Sequence, residues 1–216
     1  MKKLSFWIIT TIGLPILFLV LIELSLVLIG YGHPSDYLDF FLTRTIDGKE
    51  YAQSNNKFHL QFFPANLPLA QLETTISKDK DDSTVRIFVL GGSAAHGFPD
   101  PDFGFSRLLD TILQIQYPNL NFEVVNTAMI AINSHVVYEI AKSVSDQQGD
   151  IAIILMGNNE VVGPYGPGTV FQSFIDSLFM IRTCLAVKRS RIGQLIGNIV
   201  ARFQPNDEKL TDWKGM

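Results

Sequence analysis

Apolar and polar positions divide the chain into an N-terminal apolar run, a mixed polar stretch and an alternating strand–helix region. From Leu4 to Ile29 almost every residue is apolar, with Ser5, Thr10, Thr11, Glu23 and Ser25 as polar interruptions and Pro15 as a kink point. A membrane-spanning helix needs roughly 20 such residues, so this run predicts one. Lys2 and Lys3 precede it, and Gly30–Ser35 follows without a basic residue. By the positive-inside rule the N-terminus then lies in the cytoplasm and the bulk of the chain outside it. A cleaved signal peptide competes with this reading. Its apolar core usually runs only ~7–15 residues, and no small-x-small site follows here, so an uncleaved single-pass anchor over residues 1–30 is the expectation. Glu23, inside the run, is expected to snorkel or to pack against a partner.

Residues 31–83 read as a connector. Within it, Lys57-Phe-His-Leu-Gln-Phe-Phe-Pro64 suggests an edge strand, and Lys78-Asp-Lys-Asp-Asp82 a solvated loop. From residue 84 the periodicity alternates. Val85–Leu90 is a short run, apolar except for Arg86, with the signature of a buried parallel strand. Phe105, Leu108, Leu109, Ile112 and Leu113 recur at helical spacing over 105–116, and Pro118 ends that helix. Phe122–Asn126 predicts a second strand. A helix over 134–147 follows, with Ser134 as its N-cap. Ile151–Met156 predicts a third buried strand. Two further helices are expected over 171–182 and 185–203, with Arg182, Lys188, Arg189, Arg191 and Arg202 making the region basic. An ordinary amphipathic pair and a membrane-surface helix both fit that pattern. Residues 205–216 read as a flexible tail. Strand–helix alternation with short connections implies an α/β domain over 84–204, a parallel sheet with helices on both faces. The loops at 91–97, 126–134 and 157–168 then meet along one sheet edge, where ligands bind in such folds.

Composition narrows the function. Of 216 residues, 17 are basic and 21 acidic, a formal net charge of −4, which argues against a nucleic-acid partner. The single Cys184 excludes an intramolecular disulfide framework and a cysteine-rich metal site. No metal or cofactor constellation is visible.

The chemistry concentrates at Leu90-Gly91-Gly92-Ser93, where a hydroxyl stands at the end of a buried strand and the start of a helix. Ester cleavage needs a nucleophilic oxygen, a general base and donors for the developing oxyanion. Ser93 offers the oxygen. Its own N–H, a backbone N–H of the second loop and the amide of Asn159 offer donors.

These blocks resemble the SGNH/GDSL hydrolase superfamily of esterases and acylhydrolases. The family's Gly-Asp-Ser corresponds to Gly91-Gly92-Ser93, with Gly92 in place of aspartate. Its Asn-x-x-x-x-Gly corresponds to Asn126–Ala131, and its Gly-x-Asn-Asp to Gly157-Asn158-Asn159-Glu160. The resemblance covers residues 84–171. The run Gly157–Gly168 is similar to a subgroup of membrane-anchored bacterial members. The resemblance implies a flavodoxin-like three-layer α/β/α fold, Ser93 as nucleophile, and Ser93, Ala131 and Asn159 as oxyanion donors. It implies no cofactor, and an acyl-ester substrate such as a lipid or an acylated glycan, met outside the inner membrane. Ala131 keeps the N–H that the family's glycine supplies, a tolerable change provided the backbone there needs no positive φ.

The family's base comes from an Asp-x-x-His block. The four histidines, His33, His59, His96 and His135, follow Gly30, Asn56, Ser93 and Ile132 at that spacing, so the block is absent. His96 is expected on the loop surface rather than as the base, and His135 as a locally bonded helix-end residue. The expected sheet is also short of the family's five or so strands, so the sequence reads as an incomplete domain, inactive alone. The competing class is a non-catalytic, membrane-tethered remnant or interaction module. A phosphate-binding loop lacks its lysine and spacing, and a Gly-x-Ser-x-Gly elbow lacks its last glycine.

Overall fold

The computed structural model describes residues 7, 9–64, 67, 69, 71–169 and 177–203, the side chains of 201–203 excepted. In chain order the helices and strands are α1 (Leu14–Leu28), β1 (Phe41–Ile46), β2 (Lys49–Ser54), β3 (Thr75–Ser77), β4 (Thr84–Gly91), α2 (Ser93–His96), α3 (Phe105–Gln116), β5 (Asn121–Asn126), α4 (Ser134–Ser145), β6 (Ile151–Leu155), α5 (Leu178–Arg189) and α6 (Arg191–Phe203). The chain divides into two compact units. One comprises Met1–Tyr37 with Arg182–Met216, the other Leu38–Ile181.

In the first unit a five-residue π-helical turn, Ile9–Gly13, leads into α1. Together they form a 20-residue helical stretch, Ile9–Leu28, of mean hydropathy 2.5, long and apolar enough to cross a membrane. The C-terminal helices break later than expected: instead of 171–182 and 185–203, α5 runs through 183–184 to Arg189 and α6 starts at Arg191, while residues 171–176 and the tail 205–216 lie outside the described part.

In the second unit, β1, β2 and β3 form a three-stranded antiparallel sheet where the sequence suggested a connector. Asp47 and Gly48, both at positive φ (51° and 78°), make the tight β1–β2 turn that an Asp-Gly pair favours. The aromatic patch is not an edge strand. Phe58–Gln61 is a 3₁₀ turn, and Phe58, Phe62 and Phe63 are all buried. A strand would send adjacent Phe62 and Phe63 to opposite faces, whereas a helical turn buries both with Phe58. Phe58 meets Phe40 edge-on, with ring centroids 5.2 Å apart. The Lys78–Asp82 loop is not simply solvated, because Lys80 Nζ reaches Asp150 Oδ2 at 2.6 Å with little of its side chain exposed.

The second sheet is parallel, in the order β5-β4-β6. Central β4 is buried along Arg86–Gly91, as its largely apolar run predicts. The chain first crosses from β4 to β5, then returns past β4 to β6. With right-handed crossovers, α3 and α4 cover opposite faces, and the reversal of direction opens a crevice beyond the C-terminal ends of β4 and β6. Val89, Leu90, Val136 and Ile140 are fully buried in the core of this unit. β6 departs from expectation. Ile151, Ile154 and Leu155 are exposed because β6 is the sheet's edge, with no described strand on its outer side. An apolar groove of about 270 Å³ runs between this edge and α4, lined by Phe88, Leu90, Val144 and Ile154.

Candidate functional site

The turn that ends β4 is shaped by one glycine rather than two. Gly91 has φ 150°, and a Cβ there would lie 1.9 Å from the Leu155 carbonyl oxygen, so only glycine lets β6 approach this closely. Gly92 is extended, and a Cβ on it would sit in ordinary contact, 3.6 Å from Asn159 Nδ2 and 3.7 Å from the Ile132 carbonyl oxygen. Nothing in the packing therefore demands glycine where the resembling family has aspartate. Ser93 opens α2, a single turn closed by Gly97 in the left-handed region.

The three loops converge here. Asn159 Nδ2 donates to the Ile132 carbonyl at 3.2 Å, directly beside Gly92. Gly92, Ser93, Ala94, Ile132, Asn158 and Asn159 line a hollow of about 30 Å³. An amide nitrogen carries two hydrogens, so Asn159 can bond Ile132 and still present a donor.

Three further side chains hold the loops in place. Asn126 Nδ2 donates to Ser106 Oγ (2.9 Å) and to the Ala95 carbonyl (3.1 Å), while its Oδ1 accepts from Ala128 N–H (3.0 Å), fastening the end of β5 to α2. The Glu160 carboxylate accepts from Ser134 N–H (3.0 Å) and Ser134 Oγ (2.6 Å), tying the third loop to the start of α4. A carboxylate at a helix N-terminus is favoured by the helix dipole as well. Asn133, not Ser134, occupies the N-cap, and its Nδ2 donates to the Pro164 carbonyl at 2.9 Å. The sequence reading missed Asn133 and the Glu160–Ser134 pair. A serine at a helix start and an acid after the next strand is the signal that topology makes meaningful.

Ala131 fails the condition set for it. Its φ is 59°, in the left-handed region that glycine adopts more readily than alanine. Alanine holds that conformation at a cost of roughly 1–2 kcal/mol. His96 is not on the surface: it is 3% exposed, and neither ring nitrogen has a hydrogen-bond partner among the described residues. Burial pushes its imidazole below the ordinary value, leaving it neutral at pH 7. It therefore does not hold the Ser93 hydroxyl. His135 meets the Tyr165 ring edge-on at 6.2 Å. Among the described residues, no group of three or more His, Cys, Asp or Glu is placed to hold a metal ion.

The arrangement thus offers a hydroxyl at a helix start, an adjacent side-chain amide donor and a small hollow, without a base bonded to the hydroxyl among the described residues. No family model, curated protein or solved structure matches the chain.

Proposed function

We propose that the chain is a membrane-anchored serine hydrolase of the SGNH/GDSL type, acting on acyl esters of lipids or glycans, with a flavodoxin-like sheet and its second unit outside the inner membrane. Ser93 is the nucleophile. The N–H groups of Ser93 and Ala131 and the amide of Asn159 bind the oxyanion. The observation that carries this reading is the placement of Asn159 Nδ2 beside the Gly92–Ser93 turn, with residues distant in sequence lining one hollow. Water or an alcohol would complete turnover after the acyl group passes to Ser93 Oγ. With His96 buried and bonded to nothing among the described residues, Ser93 has no base there, so without an added base esters turn over very slowly. Loss of one member of such a triad leaves only residual catalysis.

Supplying a base in solution tests the proposal. With p-nitrophenyl acetate and added imidazole, the tryptic peptide carrying Ser93 should gain an acetyl mass. Asn159→Ala should slow that acylation by roughly 10²–10³-fold, the usual cost of one oxyanion donor. Equal acetylation of wild type and Ser93→Ala, or none at Ser93, would sink the reading. A Ser93 hydroxyl with no base bonded to it among the described residues, and an Ala131 held at φ 59°, favour a second reading, a non-catalytic tethered module. Absence of imidazole-dependent acylation would select it.

A further inference from the structure

Helix α6 bonds its polar side chains within the chain and leaves apolar ones uncovered. Its polar side chains at i, i+3 and i+7 are spent on the chain's own N-terminal segment. Arg191 Nη1 donates to the Tyr31 carbonyl at 2.7 Å, and Asn198 Nδ2 to the Tyr31 hydroxyl at 3.0 Å. Gln194 pairs with the backbone of His33, accepting its N–H at 2.7 Å and donating to its carbonyl at 3.1 Å. Gly32 makes that approach possible, since a Cβ there would meet Gln194 Oε1 at 2.5 Å. The other side of α6 carries Ile196, Ile199 and Val200, each about half exposed. A helix in water buries such a stripe and solvates its polar face.

The carboxylate of Glu23 fixes where this helix sits. Its two oxygens accept the backbone N–H groups of Arg191 (2.7 Å) and Ile192 (2.9 Å), capping the start of α6 from the side of α1. Glu23 lies five residues before the end of α1, on the order of 8 Å along the helix axis. Interfacial helices seat their apolar face roughly 5–10 Å into the headgroup–acyl boundary. The exposed stripe of α6 and the exposed apolar surface of α1 belong to the same unit, so one lipid environment can cover both.

We infer that α6 is a membrane-seated helix, docked on α1 through Glu23, with Ile196, Ile199 and Val200 against lipid acyl chains. The inference rests on the reading of α1 as a membrane span. Spin labels on the full chain test both, in vesicles of equal phosphatidylcholine and phosphatidylglycerol. With Cys184→Ser as background, Ile196→Cys and Val200→Cys report on α6, Leu19→Cys on α1, and Lys49→Cys on water. Labels at 196 and 200 should be relaxed by oxygen and shielded from a water-soluble nickel chelate, as at 19. If 19 is in lipid but 196 and 200 match 49, the inference fails alone. Shielding of 196 and 200 from both reagents means that protein covers the stripe, which also overturns it. A water-like signal at 19 removes the spanning reading and the inference together. As a second measurement, Glu23→Ala should speed hydrogen exchange at the Arg191 and Ile192 amides by roughly ten- to hundredfold, with Glu23→Gln in between. Unchanged exchange there contradicts the docking.

Discussion

Arg86 is the least expendable polar side chain of the second unit. It is 1% exposed at the N-terminal end of β4, the end opposite the candidate site. Its Nε donates to Glu123 Oε2 on β5 at 2.6 Å, its Nη1 to the Gln147 carbonyl after α4 at 2.6 Å, and its Nη2 to the Ser77 carbonyl on β3 at 2.8 Å. Its backbone N–H reaches Asp150 Oδ2 at 2.7 Å. One guanidinium thus joins both sheets and the turn before β6. Arg86→Ala leaves two backbone carbonyls without their donor, at about 1–3 kcal/mol each, and opens a cavity besides, for roughly 3–5 kcal/mol together. Against a typical domain stability of about 5–15 kcal/mol, that is a large fraction. Glu123 is a different case. A third of its side chain is exposed, so Glu123→Gln keeps an acceptor near water and should cost about 1 kcal/mol or less. Arg86→Lys keeps the charge but not the three-way fork, and should fall between. Urea-dependent hydrogen exchange of peptides covering β4 gives all three values. If Glu123→Gln costs as much as Arg86→Ala, the ion pair dominates and the argument from the two carbonyls is wrong.

Four substitutions at three other positions probe the scaffold of the candidate site. Gly91→Ala sets a methyl 1.9 Å from the Leu155 carbonyl oxygen, so β6 should detach from β4 and its amides lose exchange protection selectively. Ala131→Gly relieves a left-handed alanine at φ 59° and should raise stability by about 1 kcal/mol in the same assay, while Ala131→Val should lower it. His96, held below its ordinary value of 6.5 by burial, makes stability fall as pH drops from about 6.5 toward its folded-state pKa, because the unfolded chain binds the proton first. His96→Leu should flatten that part of the pH–stability curve, and an unchanged slope would show that another group titrates there.

Most of the parallel sheet was legible because its signals are local. The largely apolar run of β4 and the 3.6-residue spacing of α3 each fix an element from its own residues, and strand–helix alternation then brings the three loops together. Position in the sheet is not local. The same apolar run that buries β4 leaves β6 exposed, since only the strand order says which of them is the edge. The 41–77 meander escaped notice for a related reason: its strands are short and polar, with exposure patterns that depend on pairing rather than on alternation.

At the candidate site, the meeting of the Ser93 and Asn159 loops was readable and the backbone state was not. Ser93, Asn126 and Asn159 could be picked out as side chains whose chemistry suits the spacing. Whether Ala131 is harmless depends on a φ angle that no side chain announces, and it settles at the one value that penalises alanine. The two outlying polar residues follow the same logic. Glu23 looks like an intruder in an apolar helix, and Gln194 like an ordinary surface residue, until α1 and α6 are adjacent and each becomes the partner that the other segment's backbone requires. A polar residue in an apolar run is therefore better read as a demand for a backbone partner than as a defect, and here the demand is met from 168 residues away in the chain.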